Sequence, residues 1–365
     1  MGKQERDAET LERMRGSLLA WYAENQRDLP WRRSRNPYAI WVSEIMLQQT
    51  RVAAVVERYE AFMASFPTLV SLALAPEQEV LAMWSGLGYY RRARMLHKAA
   101  QYVADHHQGN LPQSAAELRK LPGIGVYTAA AIASIAHGEP VAVVDGNVER
   151  VLCRIAGWDA AGRNRGAALR RRIDERAAQL VSQQAPGDWN QAMMELGATV
   201  CLPRNPQCLV CPWTENCKTR GEHKTSPGKR MLSREVSYAL SVRTGRLPGQ
   251  NHREVLLEQR PAGQTVMPCL WELPTLRETA VPEDALRMTV RHAIMQVNYY
   301  VRIRTVFEDD VDALTLTGGE RRWVELGQTG GMALTGLARK VLRRAHLLHV
   351  APPRSIAAEA AEDVL

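Results

Sequence analysis

Residues 121–150 read LPGIGVYTAAAIASIAHGEPVAVVDGNVER. Pro122, Gly123 and Gly125 break any helical period, and both glycines permit positive φ and close backbone approach. The run at 127–136 is helix-forming or small. The turn is therefore predicted to sit at a helix N-terminus, where unpaired N–H groups and the helix dipole favour a phosphate. An apolar run at 141–144 ends at Asp145, and a further helix is expected from about Asn147.

Working outward toward the N-terminus, Leu11, Met14, Leu18, Leu19 and Tyr22 recur at helical spacing and predict an amphipathic helix over 10–26. Residues 38–47 follow Pro37 and read as a mostly buried helix, which makes Glu44 a carboxylate within an apolar helix. Gln48-Gln49-Thr50 breaks that helix, with Thr50 expected to cap the next. Further helices are predicted over 51–65, 76–84 and 92–105, separated by Phe66-Pro67 and by Gly86-Leu87-Gly88-Tyr89-Tyr90. Arg91, Arg92 and Arg94 form a basic patch, readable as a solvated helix face or as a phosphate contact.

Toward the C-terminus, 167–184 and 189–200 continue the helical pattern, and then Cys201-x6-Cys208-x2-Cys211-x5-Cys217 gathers four of the six cysteines. Thiolates this close can wrap one metal centre, either zinc or a 4Fe-4S cluster. Cys153 and Cys269 lie outside the array and read as buried thiols. Residues 221–233 have linker composition. Beyond them 235–243, 253–259 and 299–307 alternate like strands and 334–348 reads as a closing helix, together an α+β domain.

A chain of 365 residues predicts two or three domains. With 45% hydrophobic and 24% charged residues it has a globular composition, and its longest apolar run is too short to span a bilayer. No membrane anchor is expected. The first ten residues, MGKQERDAET, lack an export-type apolar region, so a cytoplasmic, nucleoid-associated location is expected. The net charge of +8 suits a polyanionic partner.

Together the LPGIG turn, the VDGNVER segment and the cysteine loop resemble the helix-hairpin-helix DNA glycosylases with an iron-sulfur cluster. Within that superfamily WVSEIMLQQTRV, GLGYYRRARMLHKAA and LPGIGVYTAA are similar to the MutY-type adenine DNA glycosylases. The resemblance covers 20–220 almost continuously and implies a mainly α catalytic region over 1–220. That region would comprise a six-helix barrel (about 30–138) and a cluster-bearing part (about 1–29 with 139–220). A linker (221–233), an α+β MutT/Nudix-like lesion-reading domain (234–350) and a flexible tail (351–365) would follow.

The cysteine loop, Cys201, Cys208, Cys211 and Cys217, then implies a 4Fe-4S cluster. In the related endonuclease III type a lysine two residues after the second glycine forms a Schiff base with the sugar. This chain has Tyr127 there, and a phenol forms no imine, so base removal with weak or no AP lyase activity is expected.

By resemblance Glu44 protonates N7 of adenine, Asp145 stabilises the sugar cation or forms a transient adduct with it, and Tyr127 and Asn147 orient them. Taken alone, Glu44 reads more readily as a solvent-facing residue and Asp145 as a helix cap than either does as a catalytic group. Gln49 and Tyr89 match the family's DNA-wedge positions, with Leu47 and Gln48 adjoining. Arg27 and Trp31 resemble residues of the base pocket, and the Gly123 and Gly125 amides are expected to hold a phosphate. The implied partner is double-stranded DNA with adenine opposite 8-oxoguanine or guanine, bound by a monomer.

LWELP at 270–274 fits the reader domain, but no acidic Nudix box follows, so pyrophosphohydrolase activity is not expected. Where family members carry a Phe-Ser-His loop, this chain has Ile294-Met295-Gln296 after His292-Ala293. Two readings compete with adenine removal. One is a mismatch thymine or uracil glycosylase, the other a non-catalytic iron-sulfur DNA-binding protein.

Overall fold

The computed structural model describes residues 3–158, 166–223, 231–245, 252–277, 282–311 and 319–348. Most of the expected linker and the whole of the expected tail lie outside the described residues. In chain order come α1 (Lys3–Asn25), α2 (Pro37–Leu47), α3 (Val52–Ser65), α4 (Leu69–Leu74), α5 (Glu77–Met83) and α6 (Arg91–His107). Then follow α7 (Ala115–Leu118), α8 (Val126–His137), α9 (Gly146–Ala156), α10 (Ala167–Leu180) and α11 (Pro186–Thr199). The strands are β1 (Leu232–Leu240), β2 (Val242–Thr244), β3 (Arg253–Gln259), β4 (Trp271–Glu272), β5 (Thr275–Leu276), β6 (Leu286–Ile294), β7 (Val297–Thr305) and β8 (Arg321–Glu325), and α12 (Gly336–Arg344) closes the described chain.

The chain divides into two compact units, 1–48 with 98–227 and 49–97 with 228–365. In the first, Met14, Leu18 and Tyr22 recur every four residues along α1 and share one core with Val148, Val151 and Leu152 of α9 and Leu196 of α11. Each such fully buried side chain stabilises the fold by about 1.5–3 kcal/mol. Helix α2 packs on α8, whose Ala129, Ala130, Ala131 and Ala133 are buried. Side chains that small let the two backbones approach closely, and this brings residues of α2 and α8 together.

In the second unit one sheet has the order β5-β1-β7-β6, and in the other β4 and β2 flank β3, which also pairs with β8. Strands β1 and β7 are parallel, which requires the long crossover that separates them. Val301, Ile303, Tyr238 and Leu240 share a core with Leu337 and Val341 of α12. Strands β6 and β7 form a hairpin in which Ile294 pairs with Val297, leaving Met295-Gln296 as a tight turn with Met295 at φ 54. The segment expected to replace the Phe-Ser-His loop is thus a short hairpin tip.

Helices α4 and α7 were not anticipated. At six and four residues they are too short for a periodic signal, and α4 is held by a Thr68/Ser71 capping box. Thr50 does not cap α3, whose N-cap is Arg51. Its hydroxyl instead donates to Leu87 O at 3.3 Å and accepts from Arg92 at 2.9 Å. No helix among the described residues is long and apolar enough to cross a membrane.

Candidate active site

Helix α2 starts at Pro37 behind Asn36, whose side chain accepts from the Tyr38 and Ala39 amides. Residues 38–46 are all buried, Glu44 with them at 5% exposure. The Tyr127 hydroxyl, from the first turn of α8, donates to Glu44 Oε2 at 2.6 Å and lies 3.3 Å from Met194 Sδ. Burial pushes the Glu44 carboxyl up to about 7; the Tyr127 hydrogen bond and Arg32 oppose this, while the charge of Asp145 adds to it. Burial and the neighbouring Glu44 and Asp145 push the Tyr127 phenol well above its ordinary value, so it is a hydrogen-bond donor here.

Asp145 is the N-cap of α9. One carboxylate oxygen accepts from Val148 N at 2.7 Å and the other from Asn147 Nδ2 at 3.0 Å. The second bond distinguishes Asp145 from a simple cap, because it fixes the free oxygen. Asn147 is held in turn by Arg150, which donates to Asn147 Oδ1 at 2.8 Å, Gly197 O at 2.7 Å and Cys201 O at 2.8 Å. Position 197 must lack a side chain, since a Cβ there would come within 2.6 Å of Asn147 Cβ. The strand-like approach to Asp145 is pinned by buried Asn190, which accepts from Val143 N at 3.0 Å and donates to Val141 O at 2.8 Å.

Sequence reasoning missed Glu195. It lies on α11 with its side chain fully enclosed and accepts from Arg27 Nε at 2.7 Å, Arg27 Nη2 at 2.8 Å and Arg32 Nη2 at 2.7 Å. Burial alone would raise its pKa, but these donors overcome that and hold it at about 2. A glutamate within Met193-Met194-Glu195-Leu196 carries the same signal that marked Glu44. Arg27 is therefore locked in an ion pair, and Trp31 is buried at 7% exposure in the 3-10 turn that follows.

Gln49 and Tyr89 both have left-handed backbones, at φ 56 and 47, and both are exposed. Such conformations in non-glycine residues persist only where the surroundings impose them. Leu47 and Gln48 are half-buried at the end of α2. In the 121–125 turn Gly123 is left-handed at φ 76, whereas Gly125 is extended at φ −87, so only the first requires a glycine for its φ. Both amides are without a partner among the described residues, as anion binding needs. The basic patch resolves differently: Arg94 pairs with Glu77 at 2.9 Å and Arg92 donates to Thr50, Leu87 O and Gly88 O. Of the three only Arg91 is exposed to solvent.

Cys201, Cys208, Cys211 and Cys217 line a single cavity, and among the described residues no carboxylate or imidazole lines it with them. Burial and then the neighbouring thiols push Cys208 upward, and burial pushes Cys211 up to about 11, with the neighbouring thiols adding to it and the Trp213 backbone opposing it. Among the described residues they are not drawn together as tightly as a single ion would hold them. A tetrahedral zinc with bonds of about 2.3 Å would keep its sulfurs about 3.8 Å apart, whereas an iron-sulfur cube spreads them further. Arg154 Nη1 and the Arg220 amide each donate to a cysteine sulfur at 3.4 Å, an arrangement suited to an anionic centre. Cys153 is buried as expected, while Cys269 is only half-buried.

Residues 42–176 match the HhH-GPD superfamily base excision DNA repair protein family. More particularly, the chain is similar to adenine DNA glycosylases: it is 48% identical to that of Homo sapiens over 225 residues, 59% of this chain and 41% of the relative. It is 38% identical to the adenine DNA glycosylase of Arabidopsis thaliana over 329 residues, 80% of this chain and 51% of the relative. The match thus spans about half the length of these curated relatives. Among solved structures, a thermostable thymine-DNA glycosylase aligns with TM-score 0.53 and 28% identity over 59% of this chain and 98% of that one.

Proposed function

We propose that the chain is a monofunctional DNA glycosylase that flips adenine out of double-stranded DNA, where it is mispaired with 8-oxoguanine or guanine, and hydrolyses its glycosidic bond. One observation carries the reading: a buried, protonatable Glu44 oriented by Tyr127, with Asp145 held as a fixed carboxylate nearby. Depurination needs an acid for the leaving base and an anion for the oxocarbenium-like sugar, the two-carboxylate logic of glycoside hydrolysis.

Glu44 gives its proton to N7 of adenine and the C1′–N9 bond breaks, its electron pair leaving with the base. Asp145 stabilises the C1′ cation directly or as a transient ester. Water adds at C1′ and returns a proton to Glu44, giving free adenine and an abasic site. Tyr127 cannot form an imine, so strand cleavage through a Schiff base is not supported. Arg27 and Trp31 border the base pocket, with Glu195 clamping Arg27. Gln49 and Tyr89, adjoined by Leu47 and Gln48, fill the gap in the duplex, and the Gly123 and Gly125 amides grip a phosphate.

The four cysteines would hold a 4Fe-4S cluster, whose role here is to shape and charge the loop around it. The α+β region is read as a Nudix-like domain facing the opposite base, and the protein as a monomer in the cytoplasm at the nucleoid. Mismatch thymine or uracil removal is the second reading, favoured by the likeness to the thymine-DNA glycosylase.

Single-turnover excision from duplexes holding A:8-oxoguanine, A:G, A:C and T:G tests this, with the native chain and Asp145→Asn, each with and without alkali. Adenine release that needs alkali for strand breakage and is lost in Asp145→Asn is expected. Thymine release, or no release, would overturn it. Iron and sulfide assays with a visible absorption band test the cluster.

A further inference from the structure

Helix α12 begins behind Thr335, which caps it, and carries Arg339 into the interior of the second unit at 4% exposure. Arg339 Nε donates to Ser85 Oγ at 2.8 Å, while Nη1 has no hydrogen-bond partner among the described residues. Leu334 O, just before the helix, accepts from Ser85 Oγ at 3.1 Å and from Tyr90 OH at 2.7 Å. Ser85 and Tyr90 bracket the segment that presents Tyr89. Within it Gly86 and Gly88 have φ 105 and 70, and Tyr89 itself has φ 47 and is 48% exposed. From the other side Arg92 donates to Leu87 O and Gly88 O at 3.2 Å each, and to Thr50 beside Gln49 at 2.9 Å.

A guanidinium buried without a carboxylate is costly. Burial and the nearby Arg58 and Arg343 charges pull Arg339 down to about 10. An apolar side chain would fill the same space at less cost. What Arg339 supplies instead is a directed bond to the base of a left-handed loop, and loops of this kind keep their shape only when over-determined.

We propose that Arg339 is a positioning residue: through Ser85 and the Leu334 carbonyl, the closing helix of the C-terminal region holds residues 86–89 so that Tyr89 is set for DNA before DNA arrives. This rests on the reading of Tyr89 as a DNA wedge. Its consequence is that the C-terminal region contributes to extrusion of the base as well as to any reading of the opposite strand.

The test places 2-aminopurine at the target position opposite 8-oxoguanine and follows its fluorescence with saturating full-length protein, alongside single-turnover adenine release. Arg339→Met is expected to lower the unstacking rate and the excision rate about tenfold, as small misplacements of binding groups do. Arg339→Lys should restore part of the loss, and in a Tyr89→Ala background Arg339→Met should cost nothing further. Should Arg339→Met fail to fold, Ser85→Ala removes both the Arg339 bond and one bond to Leu334 O, Tyr90→Phe removes the other bond to Leu334 O, and each should give a loss of the same sign, the smaller in Tyr90→Phe. Equal losses with and without Tyr89, or losses fully explained by a reduced active fraction, would overturn the proposal. If the native chain unstacks 2-aminopurine in an Arg339-dependent way yet releases no base, the positioning role stands and the glycosylase reading falls.

Discussion

Two glutamates, Glu44 and Glu195, are buried in the same unit at 5% and 1% exposure, and their surroundings send them in opposite directions. Glu44 is pushed up to about 7 and Glu195 is held at about 2. Burial raises both. The difference lies in the partners: Glu44 receives one neutral phenol and feels the negative Asp145, whereas Glu195 receives three charged N–H donors from Arg27 and Arg32. A neutral donor lets burial win, and a fork of guanidinium donors reverses it. The first carboxyl is left able to carry a proton near neutral pH; the second is a permanent anion whose task is to fix two arginines.

The comparison breaks first at Glu44. Glu44→Gln should lower single-turnover excision by about 10²–10⁴-fold, the usual worth of a positioned general acid. The native rate should fall as pH rises through about 7, where Glu44 loses its proton. An unchanged rate in the variant would remove Glu44 from the chemistry.

At Glu195 the expected effect is on stability. Glu195→Ala strands Arg27 and Arg32, and loss of one partner from a buried ion-pair set costs about 3–5 kcal/mol, readable in a denaturant titration. A cost below about 1 kcal/mol would place the set with exposed pairs.

A smaller effect separates the two by pH. The folded Glu44 pKa of about 7 lies above its ordinary 4.5, so its protonated form is the one the fold favours. That contribution is fully present below 4.5 and is lost as pH rises through about 7. Glu44→Gln has no such loss and should become the more stable chain by up to about 3 kcal/mol near pH 8. Tm values at about pH 5 and pH 8 check this; a gap independent of pH would contradict it. Glu195, already ionised across that window, should give no such trend in Glu195→Gln.

The smallest change is Tyr127→Phe. Its hydroxyl opposes the effect of burial on Glu44, so its removal should move the alkaline limb of the excision profile upward by about one pH unit. A downward shift would mean that Tyr127 acts on another group.

Much of the candidate site could be read from local chemistry. Asp145 before a helix and Glu44 in an apolar run are local patterns, and the cysteine spacing alone confines four thiols to one short loop. Glu195 escaped because a carboxylate in an apolar helix has two meanings, separable only by who faces it. The 91–94 arginines escaped for the same reason: Arg92 and Arg94 are sequestered by carbonyls, a hydroxyl and Glu77, all of them outside α6. Helices of four and six residues were invisible because periodicity needs length.

The sequence by itself determined the long helices, the glycine-punctuated turn at 121–125, the thiol array and the phenol at 127, which forms no imine. These depend on residue identity and on neighbours within a few positions. Only the tertiary structure decided which buried glutamate keeps a proton, that Asn147 completes the hold on Asp145, and that residues 49–97 form one compact unit with the C-terminal sheets. Most of those outcomes depend on partners distant in sequence, such as Tyr127 on Glu44, Tyr90 on Leu334 and Arg27 on Glu195, and on the burial they share. Burial and long-range pairing set charge and position, and both come into being only when the chain has folded.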